Sequence, residues 1–134
     1  MRSLERGNPS HVTIQARRDV PALPDLVFNA AADPSRLASW LPEPYQVVGR
    51  NGDVLILREE DEPRQLNLAA DYDRLLLTWE PLSGRGCRGE LRVSLSGVAG
   101  CVAELRVDGC ADEQFPARML EALAGEVEQN LTAG

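Results

Sequence analysis

Residues 90–108 read ELRVSLSGVAGCVAELRVD, and this stretch decides the fold. Leu91, Val93 and Leu95 alternate with Glu90, Arg92, Ser94 and Ser96. Ala103, Leu105 and Val107 alternate in the same way with Glu104, Arg106 and Asp108. A period of two marks strands with one dry face. Residues directly opposite in an antiparallel pair share a face. The expected register sets Leu95 against Ala103, Val93 against Leu105 and Leu91 against Val107, leaving Val98-Ala99-Gly100 as a three-residue loop. Gly100 would supply the left-handed residue that such loops place last. This register costs one like-charge pair, Arg92 against Arg106, eased by the diagonal neighbours Glu90, Glu104 and Asp108.

Strand signals continue toward the N-terminus. Leu75, Leu77 and Trp79 share a face within Leu75–Glu80, and Leu66, Leu68, Ala70 and Tyr72 share one within Gln65–Tyr72. Tyr45–Gly49 and Asp53–Arg58 flank Arg50-Asn51-Gly52, and Asn-Gly is a strong hairpin signal. Glu59–Pro63 (EEDEP) reads as a solvated acidic turn, because its oxygens show no convergence on a cation. Pro81–Gly86 reads as a flexible loop. Val12, Ile14 and Ala16 make a first half-buried strand, ended by Pro21.

Two short helices follow that strand. Leu23–Ala32 carries Pro24 and Asp25 in its first turn, where both are tolerated. Asp33 and Pro34 read as N-cap and first residue of the next helix, with Leu37, Trp40 and Leu41 on one face and Pro42 and Pro44 closing it. Trp40 is expected to be a structural anchor. At the other end, Phe115, Met119, Leu123 and Val127, widened by Leu120 and Leu131, form the apolar stripe of a helix from Pro116 to Leu131. Glu121, Glu126 and Glu128 lie on its outer side.

Composition narrows the chemistry. The chain has 134 residues, of which 14 are basic and 21 acidic, for a net charge of −7. Such a balance argues against a nucleic-acid partner, which needs clustered cations. All the basic residues are Arg, so a lysine nucleophile is excluded. No apolar run is long enough to span a bilayer, and the N-terminal residues lack the apolar stretch of a signal peptide, so the cytoplasm is the expected compartment. Residues 1–9 read as a flexible lead-in, and 10–132 as one domain. The only histidine, His11, lies at the edge of that lead-in, which argues against a histidine-based hydrolase. Cys87, Cys101 and Cys110 form no close pair in sequence, so a zinc site is not expected. No other metal or cofactor is implied. Cys101 lies about 30 Å of strand from Cys110 and about as far from Cys87, while Cys87 and Cys110 fall on opposite faces. Three free thiols are the expectation.

The order is strand, two short helices, about six strands and a long helix. The alternating strands need a cover on one face, and the terminal helix supplies it. The expected fold is α+β: a curved antiparallel sheet of about seven strands wrapped around a C-terminal helix, with two short helices after the first strand.

The segment Val27-Phe28 … Ala32-Asp33-Pro34 … Leu37 … Trp40-Leu41-Pro42, with the later strands and terminal helix in the same order, resembles the SRPBCC superfamily (START-like, helix-grip fold). The resemblance covers roughly residues 10–132. It implies a ligand space between the concave sheet and the final helix. Members include polyketide cyclases and aromatases, ubiquinone-binding proteins, lipid and hormone carriers, and homologues of heat-shock-ATPase activators. The chain is shorter than larger members, and two Trp, two Tyr and two Phe leave few rings for a stacked pocket.

Within that fold, face parity selects Leu68, Tyr72, Leu77, Trp79, Leu91, Val93, Leu105, Met119 and Leu123 as pocket-facing. Trp79 and Met119 suit an apolar ligand best. Of the nearby polar groups, Tyr72 shares that face, whereas Asn67 and Arg74 point outward. No catalytic pair stands out on the apolar face. The leading expectation is a binding domain for a small apolar or amphipathic ligand, such as a lipid, quinone or polyketide. A polyketide cyclase or dehydratase would need an ionisable group facing the cavity. A third reading is an interaction module that regulates a partner ATPase or forms a homodimer.

Overall fold

Alternation of apolar and polar side chains builds a seven-stranded sheet in the computed structural model, which describes residues 13–43, 45–83, 87–98, 100–109 and 112–133. The expected lead-in, His11, Val12, Pro44, residues 84–86, Ala99 and Cys110 lie outside the described residues, as does the side chain of Leu131. The elements are β1 (Thr13–Val20), α1 (Pro24–Ala32), α2 (Pro34–Trp40), β2 (Tyr45–Asn51), β3 (Val54–Glu59), β4 (Glu62–Asp71), β5 (Leu76–Pro81), β6 (Arg88–Ser96), β7 (Gly100–Asp108) and α3 (Phe115–Ala133). The sheet order is β1-β7-β6-β5-β4-β3-β2, and every neighbouring pair is antiparallel. The sheet curves around α3, whose Phe115, Met119, Leu120, Leu123, Ala124 and Val127 are buried.

The β6–β7 hairpin keeps the expected faces but not the expected register. Leu91 pairs with Leu105, Val93 with Ala103 and Leu95 with Cys101. A slip of two residues preserves which side every residue faces, so parity cannot detect it. Charge distinguishes the two registers. The observed one sets Arg92 against Glu104 and Glu90 against Arg106, replacing the expected Arg92–Arg106 clash with two opposite-charge pairs. The loop is then residues 97–99, and its left-handed residue is Gly97 (φ +67) rather than Gly100.

Three further differences follow from local pairing. β1 runs on to Val20 because it pairs along its length with β7, from Thr13↔Asp108 to Val20↔Cys101. The acidic stretch is a tight hairpin rather than a loop, with Glu59 opposite Glu62 and Glu60 at φ +58. β5 starts at Leu76, because Leu75 takes φ +52 in the preceding turn.

The expectation of three free thiols is overturned. Cys87 is disulfide-bonded, and Cys101 is free and buried. The parity argument fails where the ladder ends, at Arg88↔Asp108. Cys87 lies just before the first paired residue of β6, so its face cannot be counted along the ladder.

The helical corner forms as its sequence dictates. Asp33 Oδ1 accepts the Ser35 N–H at 3.0 Å, capping α2, and Pro34 opens the helix. Trp40 is 7% exposed, and its indole Nε1 donates to the carbonyl of Ala30 at 2.9 Å. This bond clamps α2 onto α1. Arg36 and Glu126, at 3.7 Å, link α2 to α3.

Candidate functional site

A cavity of about 520 Å³ lies between α2, the first turns of α3 and the concave face of β3–β5. Leu37 and Leu41 form its roof. Leu57, Leu66, Leu68, Leu77 and Trp79 form the sheet wall, and Phe115 and Met119 close the α3 side. Tyr45, Glu59, Arg64 and Leu82 stand among its lining residues at the ends of their strands.

Trp79 owes its position to Gly89, its partner across β5 and β6. A Cβ on Gly89 would come within 2.6 Å of the indole Cζ2, 2.7 Å of the Arg106 carbonyl oxygen and 2.9 Å of Val107 Cγ1. The missing side chain is what lets the ring lie across the neighbouring strand.

Of the residues that parity selected, Leu68, Leu77, Trp79 and Met119 line this cavity. Leu91, Val93, Leu105 and Leu123 face the same side but are sealed in the core beneath α1 and α3. Facing inward and bordering a void are different properties, since the helices fill most of the concave side. Tyr72 is 55% exposed and packs edge-on against Phe28, with ring centroids 5.1 Å apart, beside a different recess. Asn67 lies on the convex side, and Arg74 is paired with Asp71 at 3.7 Å.

The sequence reading missed the polar end of the cavity. Arg64 shares parity with Leu66 and Leu68, and Glu59 with Leu55 and Leu57. A solvated turn over 59–63 hides Glu59 and leaves Arg64 outside any strand, although the parity of both becomes legible once the strands are extended to the hairpin. Arg64 Nε donates to Glu59 Oε1 at 3.1 Å. A second ion pair, Arg118 with Asp112 at 2.6 Å, stands at the start of α3, and the Arg118 guanidinium lies 5.9 Å from the Phe115 ring centroid. Tyr45 sits between the two pairs, edge-on to Phe115 at 5.0 Å. Burial, reinforced by the Glu59 carboxylate, pushes its phenol above the ordinary value. Tyr45 therefore stays protonated and able to donate a hydrogen bond at neutral pH.

Among the described residues, no three His, Cys, Asp or Glu side chains converge to hold a metal ion. No helix there is long and apolar enough to cross a membrane.

No protein-family model and no curated protein matches the sequence. Solved structures do match its shape. A protein from Thermus thermophilus superposes with a TM-score of 0.70 at 17% identity, over 89% of this chain and 99% of the other. Norcoclaurine synthase from Thalictrum flavum follows at a TM-score of 0.67 and 18% identity, over 92% of this chain and 99% of that one. The fold shared with these structures is the START-like helix grip. An aromatase/cyclase from a Streptomyces species shares the helix grip at a TM-score of 0.57 and 20% identity, over 91% of this chain and 87% of the other. At these identities the likeness is one of fold, and the site of this helix-grip chain has to be read from its own residues.

Proposed function

We propose that this helix-grip domain binds a small apolar or amphipathic molecule between α2, α3 and the sheet. The observation that supports this is the cavity of about 520 Å³, walled by leucines, Trp79 and Met119. Its size is in the range of about 300–1,000 Å³ usual for ligand pockets. An apolar wall of this kind gains from every ligand carbon that it removes from water, at about 25 cal/mol per Å². The polar residues Tyr45, Glu59 and Arg64 stand at one end, where they can orient a ligand without desolvating a charge in the middle. An interaction module would more naturally have a filled interior, and the open cavity disfavours that reading.

The test is a thermal-shift panel of lipids, quinones and aromatic polyketides, with native mass spectrometry of the purified protein. A ligand present at about 100 times its Kd stabilises the fold by about 2.7 kcal/mol. A melting temperature that no member moves, together with a bare mass, refutes the proposal.

Tyr45 favours a second reading. A neutral phenol between two ion pairs at the end of an apolar cavity can donate a hydrogen bond to a bound carbonyl and polarise it, as a cyclase or dehydratase would require. Turnover of a polyketide substrate that Tyr45→Phe abolishes without weakening binding would establish it. Absence of turnover with a substrate that binds would reject it.

A further inference from the structure

Next to the apolar cavity lies a second recess of about 610 Å³, between the α1–α2 corner and the β2–β3 hairpin. Leu55, Leu68 and Leu77 line both spaces. Along the concave side of β4 come Arg64, Leu66, Leu68 and Ala70 in turn, with Arg64 in the first space and Ala70 in the second. The two spaces thus follow one another along the strand direction. From Arg64 to Ala70 is roughly 20 Å at about 3.3 Å per residue.

The two ends differ in charge balance. At the cavity end, Arg64 is already engaged by Glu59 at 3.1 Å. At the recess end stands Arg50, and its presence there is a consequence of pairing. Simple alternation along β2 would send Arg50 outward with Gln46 and Val48. The ladder slips at Val48, so that Val47 opposes Leu57 but Arg50 opposes Leu55. Opposed residues share a face, and Leu55 belongs to the core, so the bulge turns Arg50 to the concave side. Its Nε donates to the Gly52 carbonyl at 3.0 Å, and among the described residues no carboxylate forms an ion pair with it. Arg36 lines the same recess, although it also reaches Glu126 of α3 at 3.7 Å, so among the described residues Arg50 is the cation left without a carboxylate there. Of the two carboxylates there, Asp33 is committed to capping α2, and Asp53 is exposed on the hairpin turn.

We propose that the two spaces form one channel for an elongated amphipathic carboxylic acid. Its carboxylate lies at Arg50, with Arg36 beside it, and its chain passes Leu68 into the apolar cavity. This rests on the ligand-binding reading and adds to it a head group, a direction and a length.

Dodecanoate and dodecanol, titrated calorimetrically into the wild-type protein, test it. The acid should bind about tenfold more tightly, the size of one charge-assisted hydrogen bond at a partly solvated site. Arg50→Gln should bring the two affinities together while leaving that of dodecanol unchanged. Equal affinities in the wild type, or a preference that survives in Arg50→Gln, overturn the proposal while leaving ligand binding intact. If neither probe binds, this inference falls, while the binding reading still stands or falls on its own panel. Leu68→Trp tests the channel separately. By filling the passage it should weaken dodecanoate about tenfold more than it weakens hexanol, which fits in one space. A folded Leu68→Trp that binds dodecanoate like the wild type refutes the shared channel.

Discussion

Replacing Trp40 by phenylalanine separates two things that this side chain does. The carbonyl of Ala30 lies in the last turn of α1, and the residue four positions on, which would normally donate to it, is Pro34. Proline has no N–H, so that carbonyl has no helical partner. The indole Nε1 of Trp40 supplies the donor at 2.9 Å, in a buried position. Phenylalanine keeps most of the apolar contact but leaves the carbonyl unsatisfied, which costs about 1–3 kcal/mol. Alanine also opens a void in the buried core, and the expected loss rises to about 3–5 kcal/mol. Against a typical total of about 5–15 kcal/mol, the alanine variant is close to unfolding. Urea unfolding followed by far-UV circular dichroism measures both, and the phenylalanine variant should melt about 4–12 °C lower. A phenylalanine variant that unfolds at the wild-type urea concentration would show that the hydrogen bond contributes nothing. An alanine variant within about 1 kcal/mol of wild type would remove Trp40 as the anchor of the corner.

Other consequences are open to direct measurement. Denatured, unreduced protein should show fewer thiols than the three present after reduction, with Cys101 among those free; three without reduction would contradict the bonded state of Cys87. Gly89→Ala forces a Cβ to within 2.7 Å of a backbone oxygen that cannot move aside, and should cost about 1–3 kcal/mol while shifting the Trp79 emission. An unperturbed variant would mean that the sheet has more room there. The Tyr45 phenol is raised from 10.0 in the fold, so the unfolded chain ionises first as pH increases. Its contribution is complete below pH 10.0 and is lost as pH rises through the folded value. Tyr45→Phe should therefore blunt the fall in stability above that pH, and an identical alkaline profile would refute the shift.

Much of the fold was legible because its signals are local. Alternation at 91–95 and 103–107 assigns faces residue by residue, and Asp33-Pro34 marks a helix start through a cap that reaches only two residues. The register of the same hairpin was not legible from polarity, since a slip of two leaves every face unchanged. Charge pairing held the missing information, and Arg92 against Arg106 was the warning. At the site, parity finds Leu68, Leu77, Trp79 and Met119, but the same rule also sweeps in Leu91, Val93, Leu105 and Leu123, which the helices cover. Arg64 and Glu59 escape it only because strands drawn from polarity alone stop short of the hairpin.

The amino-acid sequence alone determined which face of each strand is dry, where the two short helices begin and that a terminal helix must cover the sheet. Each of these depends on neighbours within a few residues. The tertiary structure alone decided the β6–β7 pairing, the inward turn of Arg50 at the Val48 bulge, the bond at Cys87 and the size of the cavity. The first two are relations between strands, invisible within either strand. The bond requires two distant segments to meet. The cavity is the volume that α2 and α3 leave unfilled against the sheet, a remainder that no single segment encodes.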